Sequence, residues 1–285
     1  MRAVSSFLVG FLLGLVSSVD PLTAESSTKE VPLHTNSYED KLATIRDAQA
    51  KNILRNTVAK EANLDSVLNL RLDNAQISTV EGFGIFSNLT HLSLSGNFIN
   101  NIVPLTQLSR LKTLDLSKNL IVVPSGITSL EGLESLNLSN NRLKYAFCCS
   151  FISLIHLKLD NNNLQQLIFI NNFNKLLEEV DVSHNPIKSI TIRAPLPSLK
   201  RLNANGTFIT QVDDLVHLQA LEELHLKNCI HLRSITALFR HMEDHWECKL
   251  NNLKKLSISE EFLDNTSKAI LADIKKQKNN KPSIL

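Results

Sequence analysis

LTHLSLSGNFI (Leu89–Ile99), LKTLDLSKNLI (Leu111–Ile121) and LESLNLSNNRL (Leu133–Leu143) are three copies of one sentence, LxxLxLxxNxL. Similar copies start at Val67, Leu154, Leu177, Leu199, Leu221 and Leu253, so successive starts lie 22, 22, 22, 21, 23, 22, 22 and 32 residues apart. Self-similarity at this period marks a solenoid, in which each unit buries its apolar face only against its neighbours.

Each copy reads as one turn of a coil. Apolar positions 1, 4 and 6 point inward from a short strand, and the residues between them alternate outward. Position 9 is Asn97, Asn119, Asn141, Asn162 and Asn185, an amide able to satisfy backbone groups left open where the chain leaves the strand. Ala75, Thr207, Cys229 and Glu261 replace it elsewhere. Further on, Ile102, Leu105 and Leu108, and later Val212, Leu215 and Leu218, recur every three residues, which suits a short 3₁₀-like segment with one buried edge.

At these residues the chain resembles the leucine-rich repeat superfamily, over about residues 64–263. The period, with Ile or Val near position 14 and Leu at 17 and 20, is similar to the phosphatase-regulator-type subclass. The resemblance implies an α/β solenoid, a curved horseshoe or arc, with parallel strands on the concave face and short helices or 3₁₀ turns on the convex face. It also implies a concave binding face; helical end caps are expected because a solenoid must cover its exposed core at each end, and no cofactor is expected. Such a fold hosts many unrelated partners, so it names no ligand.

The flanks differ from the repeats. Arg2, the apolar run Phe7–Val16 and the small residues Ser17, Ser18 and Ala24 lay out a secretory signal over residues 1–24, cut after Ser18 or Ala24. That run is half the length that spans a bilayer, and no second one follows, so no stable membrane span is expected. Residues 25–37 read as a flexible lead-in, 38–63 as a helical N-terminal cap and 264–285 as a closing helix and tail. The repeat domain, 64–263, carries one large insertion at 239–252.

Net charge is +2 with 20% charged residues, and nothing in that balance favours nucleic acid. Of four cysteines, Cys229 and Cys248 could bridge across the insertion in an oxidising compartment, while Cys148 and Cys149 read as small buried hydrophobes. Sequons occur at Asn88, Asn137, Asn205 and Asn265, and Asn88 and Asn265, outside the strands, are the better acceptors. His241 and His245 would share one face of a helix, but HMEDH lacks the Glu of a metalloprotease motif, and no metal is expected. No Ser/His/Asp set, phosphate-cradling Gly loop or CxxC appears, which leaves an enzyme reading without a residue to carry it, and the expectation is a non-catalytic protein.

The resemblance implies that a ligand lies on the concave face, where positions 3 and 5 of each strand point outward. They lack aromatic anchors. Glu178/Glu179, Lys200/Arg201, Glu222/Glu223 and Lys254/Lys255 alternate in sign and favour pairing with one another, which leaves Arg71, His91, Asp115, His156 and Lys158 as the candidate contact residues. The expected function is a secreted recognition protein for a protein ligand or surface glycoconjugate. The alternative is an intracellular regulatory scaffold, suggested by the period and by the missing cysteine-rich caps.

Overall fold

The computed structural model describes residues 38–57, 64–144, 147–148, 151–169, 174–243, 245–277 and 282–284. The signal and lead-in readings, and Cys149, lie outside the described residues. Two helices come first, α1 (Tyr38–Ala43) and α2 (Ala48–Thr57). The strands follow as β1 (Asn69–Arg71), β2 (His91–Ser93), β3 (Thr113–Asp115), β4 (Ser135–Asn137), β5 (Phe147–Cys148), β6 (His156–Lys158), β7 (Gln166–Phe169) and β8 (Glu179–Asp181). Then come β9 (Ser189–Ile192), β10 (Arg201–Asn203), β11 (Glu223–Leu226), β12 (Phe239–His241), β13 (Trp246–Cys248), β14 (Lys255–Ile258), α3 (Asn265–Lys276) and β15 (Ser283–Ile284).

Ten strands form one sheet in the order β1-β2-β3-β4-β6-β8-β10-β11-β14-β15, every pair parallel. Register is one repeat per strand: Leu92 lies beside Leu114, Leu114 beside Leu136, and Leu136 beside Leu157. Position-1, position-4 and position-6 residues such as Leu111, Leu114 and Leu116 are fully buried, and the core they build is one continuous column. Its size follows repeat number, since each buried aliphatic contributes about 1.5–3 kcal/mol before chain entropy.

Two hydrogen-bond ladders hold each coil to the next. Asn119 accepts from Ile99 N through Oδ1 (2.9 Å) and donates through Nδ2 to Leu94 O (2.9 Å) and Leu116 O (3.1 Å). Asn141, Asn162 and Asn185 repeat this pattern with carbonyls of their own and the preceding coil. The residue before each ladder position is left-handed in eight consecutive coils: Asn74, Gly96, Lys118, Asn140, Asn161, His184, Gly206 and Asn228. That conformation turns the chain out of the strand and aims its N–H along the stack, as in Lys118 N to Ser139 O (2.9 Å). Asn and Gly tolerate it best, which explains six of the eight identities.

The convex side departs from an all-3₁₀ layer. Short 3₁₀ segments run along it at 83–85, 103–107, 127–129, 213–217 and 236–238. Between the third and fourth of these, β5, β7 and β9 make a second, three-stranded parallel sheet. The reason is a change of period. Leu167 and Phe169 are buried with Gln166 and Ile168 turned outward, and Ile190 and Ile192 are buried with Ser189 and Thr191 outward. An alternation of two with β-branched residues suits a strand, not a 3₁₀ turn.

Both ends of the column are covered by helices. Asp47, 6% exposed, caps α2 by accepting from Gln49 N and Ala50 N through Oδ1, each at 3.0 Å. Its other oxygen accepts from Ser78 N (2.8 Å), Ser78 Oγ (3.2 Å) and Thr79 N (3.3 Å), which fastens the helix to the first coil. At the far end Asp264 caps α3 through Ser267 N (2.7 Å), and Ile270, Leu271 and Ile274 are buried against the last coils. β15 then pairs with β14, covering the sheet edge that β14 would otherwise expose.

The 239–252 insertion is a β-hairpin, so His241 and His245 do not share a helix face. β12 and β13 are antiparallel with Phe239 opposite Cys248 and His241 opposite Trp246, whose rings meet edge to face at 4.9 Å. Trp246 N donates to Asp273 Oδ2 (3.1 Å) on α3, so the hairpin is fastened to the closing helix. The expected Cys229–Cys248 bridge is not made. Cys229 is a buried free thiol standing at the ladder position of its coil, with its Sγ donating to Ala204 O (3.2 Å), whereas Cys248 lies buried in the hairpin.

Candidate binding face of the parallel sheet

Positions 3 and 5 of every repeat stand on the open face of the ten-stranded sheet, because positions 4 and 6 are held in the core. The alternating charges meet there. Glu178 pairs with Lys200 (2.9 Å), Glu179 with Arg201, Glu222 with Lys254 (2.8 Å) and Glu223 with Lys255 (3.7 Å). Hydrogen bonding from Lys254 is the largest influence on the Glu222 carboxyl, and with attraction to Lys254, Lys200 and Arg201 it outweighs desolvation and holds that carboxyl below its ordinary range. His156 Nδ1 lies 3.6 Å from Glu179, and His225 Nε2 lies 3.3 Å from Glu223.

A cavity of about 380 Å³ opens over β6, β8, β10 and β11 at the centre of this pattern. His156, Lys158, Glu179, Asp181, Arg201 and His225 supply its charged and imidazole lining. Asp181 is committed to its own coil, accepting from Ser183 N (2.9 Å) and Ser183 Oγ (2.7 Å), and its second oxygen accepts from Asn203 Nδ2 (2.9 Å). Lys158, exposed beside it, makes no ion pair among the described residues.

Of the residues singled out from sequence, the structure brings His156 and Lys158 together in this cavity. Arg71, His91 and Asp115 stand on the same face, toward the β1 edge and outside the cavity lining. Arg71 pairs with Asp73 (2.5 Å), His91 Nδ1 contacts Thr90 Oγ1 (2.8 Å), and Asp115 accepts from Ser117 N (2.8 Å) and Asn137 Nδ2 (3.2 Å). Glu179, Asp181, Arg201 and His225 were legible as position-3 or position-5 residues, and cancellation along the row set Glu179 and Arg201 aside. Their gathering around one cavity is a matter of three-dimensional shape. Among the sequons, Asn265 is exposed at the first turn of α3, and Asn88 is half-buried with Nδ2 donating to Asp65 O (2.7 Å).

The family model described as Leucine Rich Repeat matches residues 132–152. An internalin C2 from Listeria monocytogenes is similar in structure at TM-score 0.59 and 21% identity, over 77% of this chain and 96% of that one. The fold is a leucine-rich repeat solenoid. The leucine-rich repeat domain of APL1B is similar at TM-score 0.50 and 22% identity, over 62% of this chain and 52% of that one, so the match spans about half of that domain. The LRIM1/APL1C complex is similar at TM-score 0.52 and 22% identity, over 67% of this chain and 39% of that one. No curated protein matches the leucine-rich repeat chain. Among the described residues no helix is long and apolar enough to cross a membrane, and no group of three His, Cys, Asp or Glu residues is placed to hold a metal ion.

Proposed function

We propose that this leucine-rich repeat protein is a secreted, non-catalytic recognition protein whose sheet face binds a protein ligand around the cavity over β6 to β11. The observation that carries the reading is that cavity, where polar side chains from four consecutive coils converge on one open surface. Protein partners fit a wide, charged, shallow face better than a small molecule does, since small ligands need an enclosed and largely apolar pocket. Secretion rests on the signal-like residues 1–24, and Asn265 is the favoured glycan acceptor because its side chain is exposed outside the sheet face.

A second reading, an intracellular scaffold of the phosphatase-regulator type, is favoured by the repeat period and by the thiol state of Cys229. Burial pushes that thiol above its ordinary pKa despite hydrogen bonds from its neighbours, so it stays protonated at neutral pH. One experiment separates the two. The full chain, tagged at its C-terminus, is expressed in a eukaryotic secretory cell. The medium, the mature N-terminus and the mass change on deglycosylation are then read. Medium-borne chain starting at Val19 or Glu25 supports the first reading. Cytosolic, unglycosylated chain retaining Met1 overturns it.

A further inference from the structure

None of the chain's 28 acidic residues falls in the stretches 118–130, 140–152, 161–174 and 184–196, which continue the coils of β3, β4, β6 and β8 beyond their strands. Lys118, Arg142, Lys144, Lys188 and Arg193 do fall there, and all five are exposed. Among the described residues none of these side chains forms an ion pair. The sheet face is different, because there each glutamate of the alternating row has a cation on a neighbouring strand. Backbone hydrogen bonds fix where the unpaired cations stand. Arg142 N donates to Ile121 O (2.8 Å), Asn163 N to Leu143 O (2.9 Å) and Lys188 N to Gln165 O (3.0 Å), so the bonds step across all four coils. Leu143, Leu164 and Ile187 are buried, and Arg142, Lys144, Asn163, Gln165 and Lys188 on either side of them turn outward on one surface. At about 4.8 Å per coil, Lys144 and Lys188 stand on the order of 10 Å apart.

Between the cations lie amides. Asn163, Gln165 and Gln166 are exposed, and their side chains make no hydrogen bond among the described residues. Two carboxylates border the surface, and both are taken up within the coils. Asp160 accepts from Ser139 Oγ and, through Oδ2, from Asn161 Nδ2 (2.7 Å), and Asp214 Oδ2 accepts from Ile192 N (3.2 Å). We propose that this surface is a second binding site, for a sulfated polysaccharide laid across the four coils. Sulfate groups meet Arg142, Lys144 and Lys188, with Lys118 and Arg193 at the flanks, and no carboxylate stands among these cations to repel them. The amides both donate and accept, which matches the hydroxyls of a sugar. An acidic peptide uses only their N–H groups, and a single nucleic-acid strand needs aromatic rings for its bases to stack on. The site lies outside the sheet-face cavity and shares with that reading only the secreted location, which the secretion experiment tests by itself.

The test titrates a heparin-derived oligosaccharide into the full chain at about 0.05 M and about 0.2 M salt. The expected result is binding that weakens by about 10- to 100-fold between the two, as release of counterions from three or four charge contacts requires. Lys144→Glu with Lys188→Glu lowers the affinity about tenfold and flattens the salt dependence. Lys268→Glu with Lys276→Glu, on α3, changes the net charge equally and keeps both, and circular dichroism confirms that each variant is folded. No binding at the lower salt, or equal losses in the two double variants, overturns the proposal. Equal affinity for unsulfated dextran overturns it too. Tighter binding of a glutamate-rich peptide or of a single-stranded oligonucleotide, lost in Lys144→Glu with Lys188→Glu, replaces the polysaccharide with an acidic protein or a nucleic acid.

Discussion

From Leu89 to Ile187 each coil is tied to the one before it by a buried asparagine, whereas from Leu199 onward the same slot holds Thr207 and then Cys229. An asparagine reaches two coils at once, with one oxygen and two N–H groups. Thr207 Oγ1 reaches Ala204 O (2.7 Å) within its own coil, and Cys229 Sγ reaches back to that same carbonyl (3.2 Å). Two weaker groups share what one amide does elsewhere. The later coils compensate on the opposite surface, where the ion pairs of β8, β10, β11 and β14 stitch neighbouring strands together. The ladder that stabilises the early part is thus buried and insensitive to salt. The row that binds the later strands is exposed, screened and open to competition by a ligand.

The largest effect should come from the buried ladder. Asn119→Ala strands Ile99 N and two carbonyls in the core, and should lower stability by about 3–5 kcal/mol, read by urea unfolding. Thr207→Ala should cost only about 1 kcal/mol, since Cys229 still donates to Ala204 O. Equal losses at the two sites would erase the contrast between early and late coils.

Next in size is the cap on the early side. Asp47→Ala removes five hydrogen bonds that join α2 to the first coil and should cost about 2–3 kcal/mol. Burial alone would raise the Asp47 pKa, but the N–H groups of Ala50, Ser78 and Thr79 and the Ser78 hydroxyl outweigh it and set it below the ordinary range. A native carboxyl with a depressed pKa binds its proton less readily than the unfolded one, so its stabilisation is complete above about pH 4 and fades as pH falls through the folded value. The difference between wild type and Asp47→Ala should shrink over that window, measured as unfolding midpoints from about pH 6 to pH 2.

Smaller again is the late row. A double-mutant cycle on Glu179 and Arg201, half-exposed at the surface, should give at most about 1 kcal/mol, and salt should reduce it. A coupling that survives molar salt would show the row to be less open than its exposure indicates. The smallest expected effect is a gain. Lys118 holds φ 55 where six of the other seven coils use Asn or Gly, so Lys118→Gly should stabilise by about 0.5–1 kcal/mol in the same unfolding assay.

The column of aliphatics, the sheet and the asparagine ladder were all legible in the repeat itself, because a fixed period forces each coil to make the same contacts. Asn119 and its fellows could be assigned a partner from spacing alone. A column at position 8, filled by Asn or Gly in six of eight coils, was also present in the sequence and marks the left-handed turn. The convex sheet was signalled by QLIF and SITI, whose period of two interrupts the period of three. The hairpin at Phe239–Cys248 was not legible, since HMEDHW fits a helix locally and Asp273 on α3 decides otherwise. Nor was the fate of Ser283–Ile284, which depends on the open edge of β14.

For the open sheet face the division is sharper. Sequence alone set which side chains point outward, since alternation along a strand is a local property of the backbone. Cancellation between neighbours also followed from sequence, because one repeat equals one strand. Only the tertiary structure decided that His156 and Lys158 stand over a cavity with His225 while Arg71, His91 and Asp115 do not, and that Cys229, already at a ladder position in the sequence, does not bridge to Cys248. A cavity is made by the relative placement of several strands and by which side chains are already occupied, and no single repeat contains that information.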